Sequence, residues 1–373
     1  MRLEVLDSLA GVDPARWNAL AGGSPPLQHA FLHALHESGA AAPETGWVPR
    51  YLVALQEGEL AGAVPVYEKH HSWGEFVFDW SWADAYRRQG LAYYPKLLVA
   101  VPFTPVPGPR ILARDPGVRR ALVAGLEALR ERLDASSVHV LFPLEEDAAL
   151  LREAGYGQRE GVQFHWHNAG YRDFDGFLSS LNHDKRKKIR QERRRVQEAG
   201  ITFEWRVGAD IRQQDWEFFE RCYRATYRQH GSEPYLNLDF FQRIGQAMGE
   251  QLCLILACRD GAPLAAALNL WGAGRAYGRY WGALEYVPGL HFETCYYQSI
   301  AFCIAHGIGV FEGGAQGEHK LARGLMPVRT VSLHRMADER LDQAVAGFLR
   351  REALGIEHYR QELEEHGPFR KPG

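Results

Sequence analysis

The chain has 373 residues, more than a single hydrophobic core usually organises, so two domains are expected. Its 46% hydrophobic and 12% aromatic residues can fill packed cores, which excludes a disordered or collagen-like chain. Forty-three basic residues against 46 acidic ones give a net charge of −3. That excludes a polyelectrolyte binding nucleic acid over its whole surface, so any anion site must be local.

The opening residues, MRLEVLDSLAGVDPARW, lack a basic start followed by an apolar run, so no secretory signal is expected. The longest apolar segments, such as LLVAVPF and LAAALNLW, fall short of the ~20 residues that a membrane helix needs. Cys222, Cys253, Cys258, Cys295 and Cys303 are odd in number and have no CxxC spacing, which suits reduced, buried thiols. A soluble, cytoplasmic protein without a membrane span is expected.

The first clear element is LVALQEGELAGAVPVYE, Leu52 to Glu68: two apolar runs around a tight turn at Gly58, which predicts a β-hairpin. A Pro-rich stretch, PFTPVPGPR, precedes a predicted helix at 118–133 and a strand at 138–142. GYGQREGVQFHW then carries Val162 and His165 in a V-x-Φ-H pattern, Φ being apolar. A boundary near Gly170 divides the chain into residues 1–170 and 171–373.

The second half opens with a basic helix, 182–200, in which eight Lys and Arg residues face only Asp184, Glu192 and Glu198. Leu178, Leu181, Ile189 and Val196 supply an apolar stripe to dock it. Lys185, Arg186 and Arg190 are candidates for holding phosphates; a solvated helix with local ion pairs is the plainer alternative. A second hairpin follows in LILACRDGAPLAAALNLW, turning at Gly261. After it come GRYWGAL, a predicted helix at 292–306, a short strand at 309–311, and GLMPVRTVSLHR with Val331 and His334 repeating V-x-Φ-H.

The same order of elements thus appears twice, as gene duplication would produce. Gly58 and Gly261 are 203 positions apart while Val162 and Val331 are 169 apart, so the first half holds about 34 extra residues. PFTPVPGPR is the natural place for them.

The stretch EGGAQGEHKLARG, Glu312 to Gly324, sets several polar side chains between glycines after the last short strand. Glycines let a substrate approach the backbone. A reaction site built there needs a base to take a proton and donors for developing negative charge. Glu312, Glu318 or His319 could be the base; Lys320, Gln316 or a backbone N–H could hold the oxyanion. Arg323 suits a substrate carboxylate or phosphate. Tyr280 and Trp281 could wall a substrate pocket, and His291, Glu293, Tyr296 and Tyr297 form a polar helix start that could face a cleft. A hydrogen-bonded turn and core packing are the structural alternatives for these residues. His291-x-Glu293 has no P-C-x-x-C partner and HExxH is absent, so no metal site is expected.

Over FHWHNAGYRDFDGFLSSLNHDKRKKIRQERRRV, YGRYWGALEYVPGLHFETCYYQSI and FEGGAQGEHKLARGLMP, the chain resembles the FemAB-like N-acyltransferases called peptidoglycan biosynthesis/recognition proteins. The resemblance implies a mixed α/β fold of two GNAT-like domains in tandem. It implies an N-acyltransferase that moves an acyl or aminoacyl group by direct transfer, from acyl-CoA or aminoacyl-tRNA, to a small-molecule or peptide amine. No tightly bound cofactor is implied. RRQGLA resembles the loop with which GNAT enzymes hold a pyrophosphate at a helix start, making Arg87, Gly90 and Lys96 phosphate candidates, against an ordinary helix entry. The alternative is a non-catalytic protein of this fold that recognises a peptidoglycan precursor or RNA.

Overall fold

The computed structural model describes residues 1–229, 231–314 and 317–370. Packing divides the chain into two compact units: Met1–Gly161 with Arg329–Tyr359, and Val162–Val328 with the residues from Arg360 onward. A contiguous cut at Gly170 assigns 329–359 to the second half, whereas these residues pack with unit 1.

Unit 1 has strands β1 (Arg2–Leu6), β2 (Trp47–Pro49), β3 (Tyr51–Gln56), β4 (Glu59–Val64), β5 (Val66–Lys69), β6 (Lys96–Val99), β7 (Leu112–Ala113) and β8 (Ser137–Leu141). Its helices are α1 (Pro14–Leu20), α2 (His29–Glu37), α3 (Trp80–Arg88), α4 (Pro116–Arg132) and α5 (Glu145–Glu153). One sheet has the order β1-β3-β4-β7. In the other, β2, β5, β6 and β8 are successive neighbours, and Ser332–Met336 pairs antiparallel with β8. β6 and β8 are parallel, with α4 in the crossover between them. Leu52, Val64, Leu97, Leu122, Leu126, Val140 and Leu333 fill the core.

Unit 2 takes residues 162–167 of β9 (Gly157–His167), then β10 (Ile201–Val207), β11 (Leu252–Arg259), β12 (Ala262–Gly272), β13 (Arg275–Ala283) and β14 (Val310–Glu312). The sheet order is β10-β11-β12-β13-β14-β9, antiparallel except for β13 and β14, which run parallel. Helices α6 (Phe174–Ser180), α7 (His183–Glu198), α8 (Gln213–Gln229) and α9 (Leu238–Met248) precede a longer helical segment. That segment is α10 (Leu290–Phe292), a π turn at Glu293–Tyr297 and α11 (Gln298–Ala305). A 3₁₀ segment, Glu318–Arg323, leads to β15 (Met326–Met336) and α12 (Glu339–Glu365).

The two halves repeat in backbone detail. Each first hairpin turns through two residues of positive φ, Glu57–Gly58 (53° and 85°) and Asp260–Gly261 (51° and 78°), as a type I′ turn requires. Each then slips register at the same place, between Ala54 and Leu55 and between Ala257 and Cys258. The repeated V-x-Φ-H segments separate, since Val162–His165 lies in unit 2 and Val331–His334 in unit 1.

The basic helix starts as its sequence requires, because the Asn182 side chain caps it by accepting the Lys185 N–H at 3.0 Å. Asn182→Ala should cost about 1 kcal/mol. The check is thermal unfolding, with Tm lowered by roughly 2–4 °C.

Candidate functional site

The site follows from where β13 and β14 stop pairing. Arg275–Tyr277 matches Val310–Glu312, after which β14 ends while β13 runs on to Ala283. On its other side, β13 pairs Gly278 with Asn269 and Tyr280 with Leu268, leaving Arg279 as an extra residue without a cross-strand partner. Such a bulge re-aims a side chain and bends the strand. Helix α8 lies so close to β13 that a Cβ at Gly282 would sit 1.9 Å from the Cys222 carbonyl oxygen; only glycine fits.

The parted strands and the π turn enclose a cavity of about 100 Å³, lined by Asn269, Gly278, Arg279, Tyr280, Trp281, His291, Cys295, Tyr296, Phe311 and Gly313. A groove of about 440 Å³ shares Trp281 and His291 with it and extends past Glu285, Tyr286 and Gly289 to Phe292. The sequence-predicted residues Tyr280, Trp281, His291 and Tyr296 therefore come together.

The EHKLARG residues divide into three groups. Lys320 is buried, 3% exposed, and its Nζ donates to the Gly314 carbonyl at 3.0 Å. Burial, helped by the nearby Arg279 charge, pulls its ammonium down to about 7. His319 is exposed, with Nε2 3.2 Å from the Tyr296 hydroxyl, and its imidazole is lowered by desolvation and by Lys320 and Arg323. Burial, with His319 adding to it, also pulls His291 down to about 4, so that ring is neutral at pH 7. The rings of His291 and Tyr296 are 5.6 Å apart, and those of His291 and His319 6.4 Å. Glu318 is exposed. Gln316 lies outside the described residues.

The remaining candidates hold the protein together. Glu312 is 1% exposed and accepts from Arg275 Nη1 at 3.0 Å, with His165 Nε2 3.9 Å from its other oxygen. Arg323 donates to both Glu192 oxygens at 2.9 and 3.1 Å and to the His319 carbonyl at 2.6 Å, with its guanidinium 3.4 Å from the Phe292 ring centre. Tyr297 donates to the same Glu192 carboxylate. Glu293 is bound by Arg193 at 3.2 Å and by Gln298 at 2.8 Å. These bonds tie α7 to the π turn and to the 3₁₀ segment, and they orient Lys320 and His319.

On its outer side α7 carries a groove of about 340 Å³ lined by His183, Arg186, Lys187, Arg190, Gln191 and Arg194. Ion pairs were the plain alternative for this helix. Among the described residues they form at Arg193 but at none of the groove's cations. Lys185 is outside that lining.

The RRQGLA reading is overturned. Arg87 and Gly90 lie at the C-terminal end of α3, where the helix dipole repels anions and the N–H groups are already bonded. Gln89 and Gly90 N–H donate to the Ala85 and Arg87 carbonyls, and Arg87 pairs with Asp84 at 2.8 Å. Lys96 is fully buried in unit 1 between Asp79, Glu75 (2.8 Å) and Ser72 (2.8 Å), so it cannot reach a phosphate.

Arg279 is the residue that sequence reasoning missed. The flanking glycines of GRYWG were its only signal, because a bulge shows only in the strand register.

Compared with solved structures, the fold is similar to FemX, at 12% identity over 93% of this chain and 100% of that one, with a TM-score of 0.57. It is also similar to the C-terminal domain of a putative lysylphosphatidylglycerol synthetase from Agrobacterium fabrum (10% identity, 91% and 95% covered, TM-score 0.55). L-PGS from Bacillus licheniformis is similar to the same degree (11%, 91% and 96%, TM-score 0.55). At such identities the likeness shows the fold alone, the mixed α/β, FemAB-like architecture expected from the sequence. No curated protein matches the chain. The model of the FemAB-like family, described as peptidoglycan biosynthesis/recognition, matches residues 8–371, and the chain belongs to that family.

Proposed function

We propose that this protein is a transferase that moves an acyl or aminoacyl group from a thioester or an aminoacyl ester to an amine, by direct attack in the cleft of unit 2. One observation carries this reading: Lys320, a buried amine held near neutral pH, has its carbon chain against Gly313, which lines the cavity at the parting of β13 and β14. The neutral Lys320 amine accepts the proton of the attacking nitrogen as the C–N bond forms. It returns that proton to the departing thiol or hydroxyl as the C–S or C–O bond breaks. His291, neutral at pH 7, and the Tyr296 hydroxyl face the same cavity and can donate to the developing oxyanion.

The donor is read from α7. A groove lined by four cations and no carboxylate suits a polyanion, which favours aminoacyl-tRNA over acyl-CoA. The test offers the purified protein acetyl-CoA and charged tRNA with amine acceptors and follows the amide product by mass spectrometry. Product from charged tRNA is expected. In the variant Lys187→Gln/Arg190→Gln/Arg194→Gln, KM for that donor should rise at least ~10-fold and its salt dependence should flatten. An unchanged KM assigns the groove no part in donor binding. A wild-type protein that binds these anions but forms no amide with either donor is the binding protein of the alternative reading.

A further inference from the structure

Arg279 raises a question that proton transfer leaves open. Its Nε and Nη1 are buried, and neither has a hydrogen-bond partner. Glu312 attracts it through space without hydrogen-bonding to it. Glu312 is hydrogen-bonded to Arg275, and Tyr280, Tyr223 and Tyr227 are neutral phenols whose pKa values burial raises further or, for Tyr280, whose ring packs on Tyr223. A second cation lies close by: a Cβ on Gly314 would be 3.6 Å from Lys320 Nζ and 3.9 Å from Arg279 Nη1. A buried guanidinium without an acceptor opposes folding, and natural chains keep such a group where a ligand completes it.

We infer that Arg279 anchors a substrate carboxylate, so that the enzyme selects an acceptor or acyl group carrying one beside the reacting centre. This deepens the transferase reading of the same cleft and rests on it. The cavity of about 100 Å³ admits a carboxylate on a short carbon stem but not a pyrophosphate with its nucleoside. A planar guanidinium with unused N–H groups matches a carboxylate. The bulge that exempts Arg279 from strand pairing is what aims it into the cavity.

Two matched pairs of probes locate the carboxylate. L-Alanine against L-alaninamide tests the acceptor side; succinyl-CoA against acetyl-CoA tests the acyl side. Binding to the full chain is measured by calorimetry, independently of turnover. In one pair, the wild type should bind the carboxylate-bearing member at least ~10-fold more tightly, and in Arg279→Met that ratio should fall to about one. Because burial outweighs the attraction of Glu312 for Arg279, the ligand-free variant should melt at or above the wild-type temperature. A ratio near one for both pairs in the wild type overturns the inference. So does a ratio that survives in Arg279→Met, an absence of saturable binding by either carboxylate, or a variant that melts several degrees lower. If carboxylate binding is selective but no amide forms, the transferase reading fails alone.

Discussion

Lys320→Met should lose about a thousandfold in turnover while remaining folded, because a positioned general base contributes roughly 10²–10⁴. Methionine fills a similar volume in a position only 3% exposed and removes an amine that burial already disfavours. The pH profile identifies the role. In the wild type, kcat/KM should rise with pH through about 7 as Lys320 loses its proton, and that limb should vanish in the variant. Lys320→Arg should not rescue activity, since a guanidinium stays charged. Stability has its own signature. The folded value of about 7 lies below the ordinary 10.5, so between these pH values the unfolded chain binds the extra proton. Wild-type stability should therefore gain from this group as pH rises across that window, and Lys320→Met should remove the gain. An unchanged pH–rate profile in the variant would reject Lys320 as the base and leave the imidazoles, His291 in the cavity lining and His319 beside Tyr296, as the remaining candidates.

The parts of this design that were legible in the sequence are those encoded by neighbours. The turns at Gly58 and Gly261, the apolar strands around them and the basic helix from 182 depend on residues within a few positions of one another. The repeat of V-x-Φ-H was also visible, although which unit each copy joins was not, because both strands are apolar and strand pairing has no local signature. In EGGAQGEHKLARG, the residue types were informative and their roles were not. Arg323 and Lys320 are three positions apart on one short turn, yet Glu192, distant in sequence, engages Arg323, while Lys320 has Arg279 for a neighbour. Arg279 was hidden by a register shift, and a register shift belongs to two strands at once.

Lys96→Met, in unit 1, should be the most destabilising of these changes, because it strands two carboxylates inside the protein. Lys96 is fully buried and donates to Asp79, Glu75 and Ser72; Tyr93 also donates to Asp79, at 2.6 Å. Burial opposes the Lys96 charge, but Glu75 and Asp79 outweigh it and hold the ammonium above its ordinary range. Burial likewise opposes the Asp79 charge, and Lys96 overcomes it, taking the carboxyl down to about 2. Glu75 sits at about 7, raised by burial that Lys96 and Lys69 only partly offset. Removing one partner of a buried pair typically costs about 3–5 kcal/mol, here a Tm lower by on the order of 10 °C. The pH dependence tells lost charge pairing from lost packing. With Lys96 in place, Asp79 contributes stability above its ordinary value of 3.8 that is lost as pH falls toward 2. Without it, burial makes Asp79 and Glu75 hold their protons in the folded state, so the variant should recover stability as pH falls from 7 to about 5. The double variant Lys96→Met/Asp79→Asn should melt above Lys96→Met, because one of the stranded charges is gone. A deficit that stays constant with pH and persists in the double variant would mean that the lysine's carbon chain, and not its charge, is what this core requires.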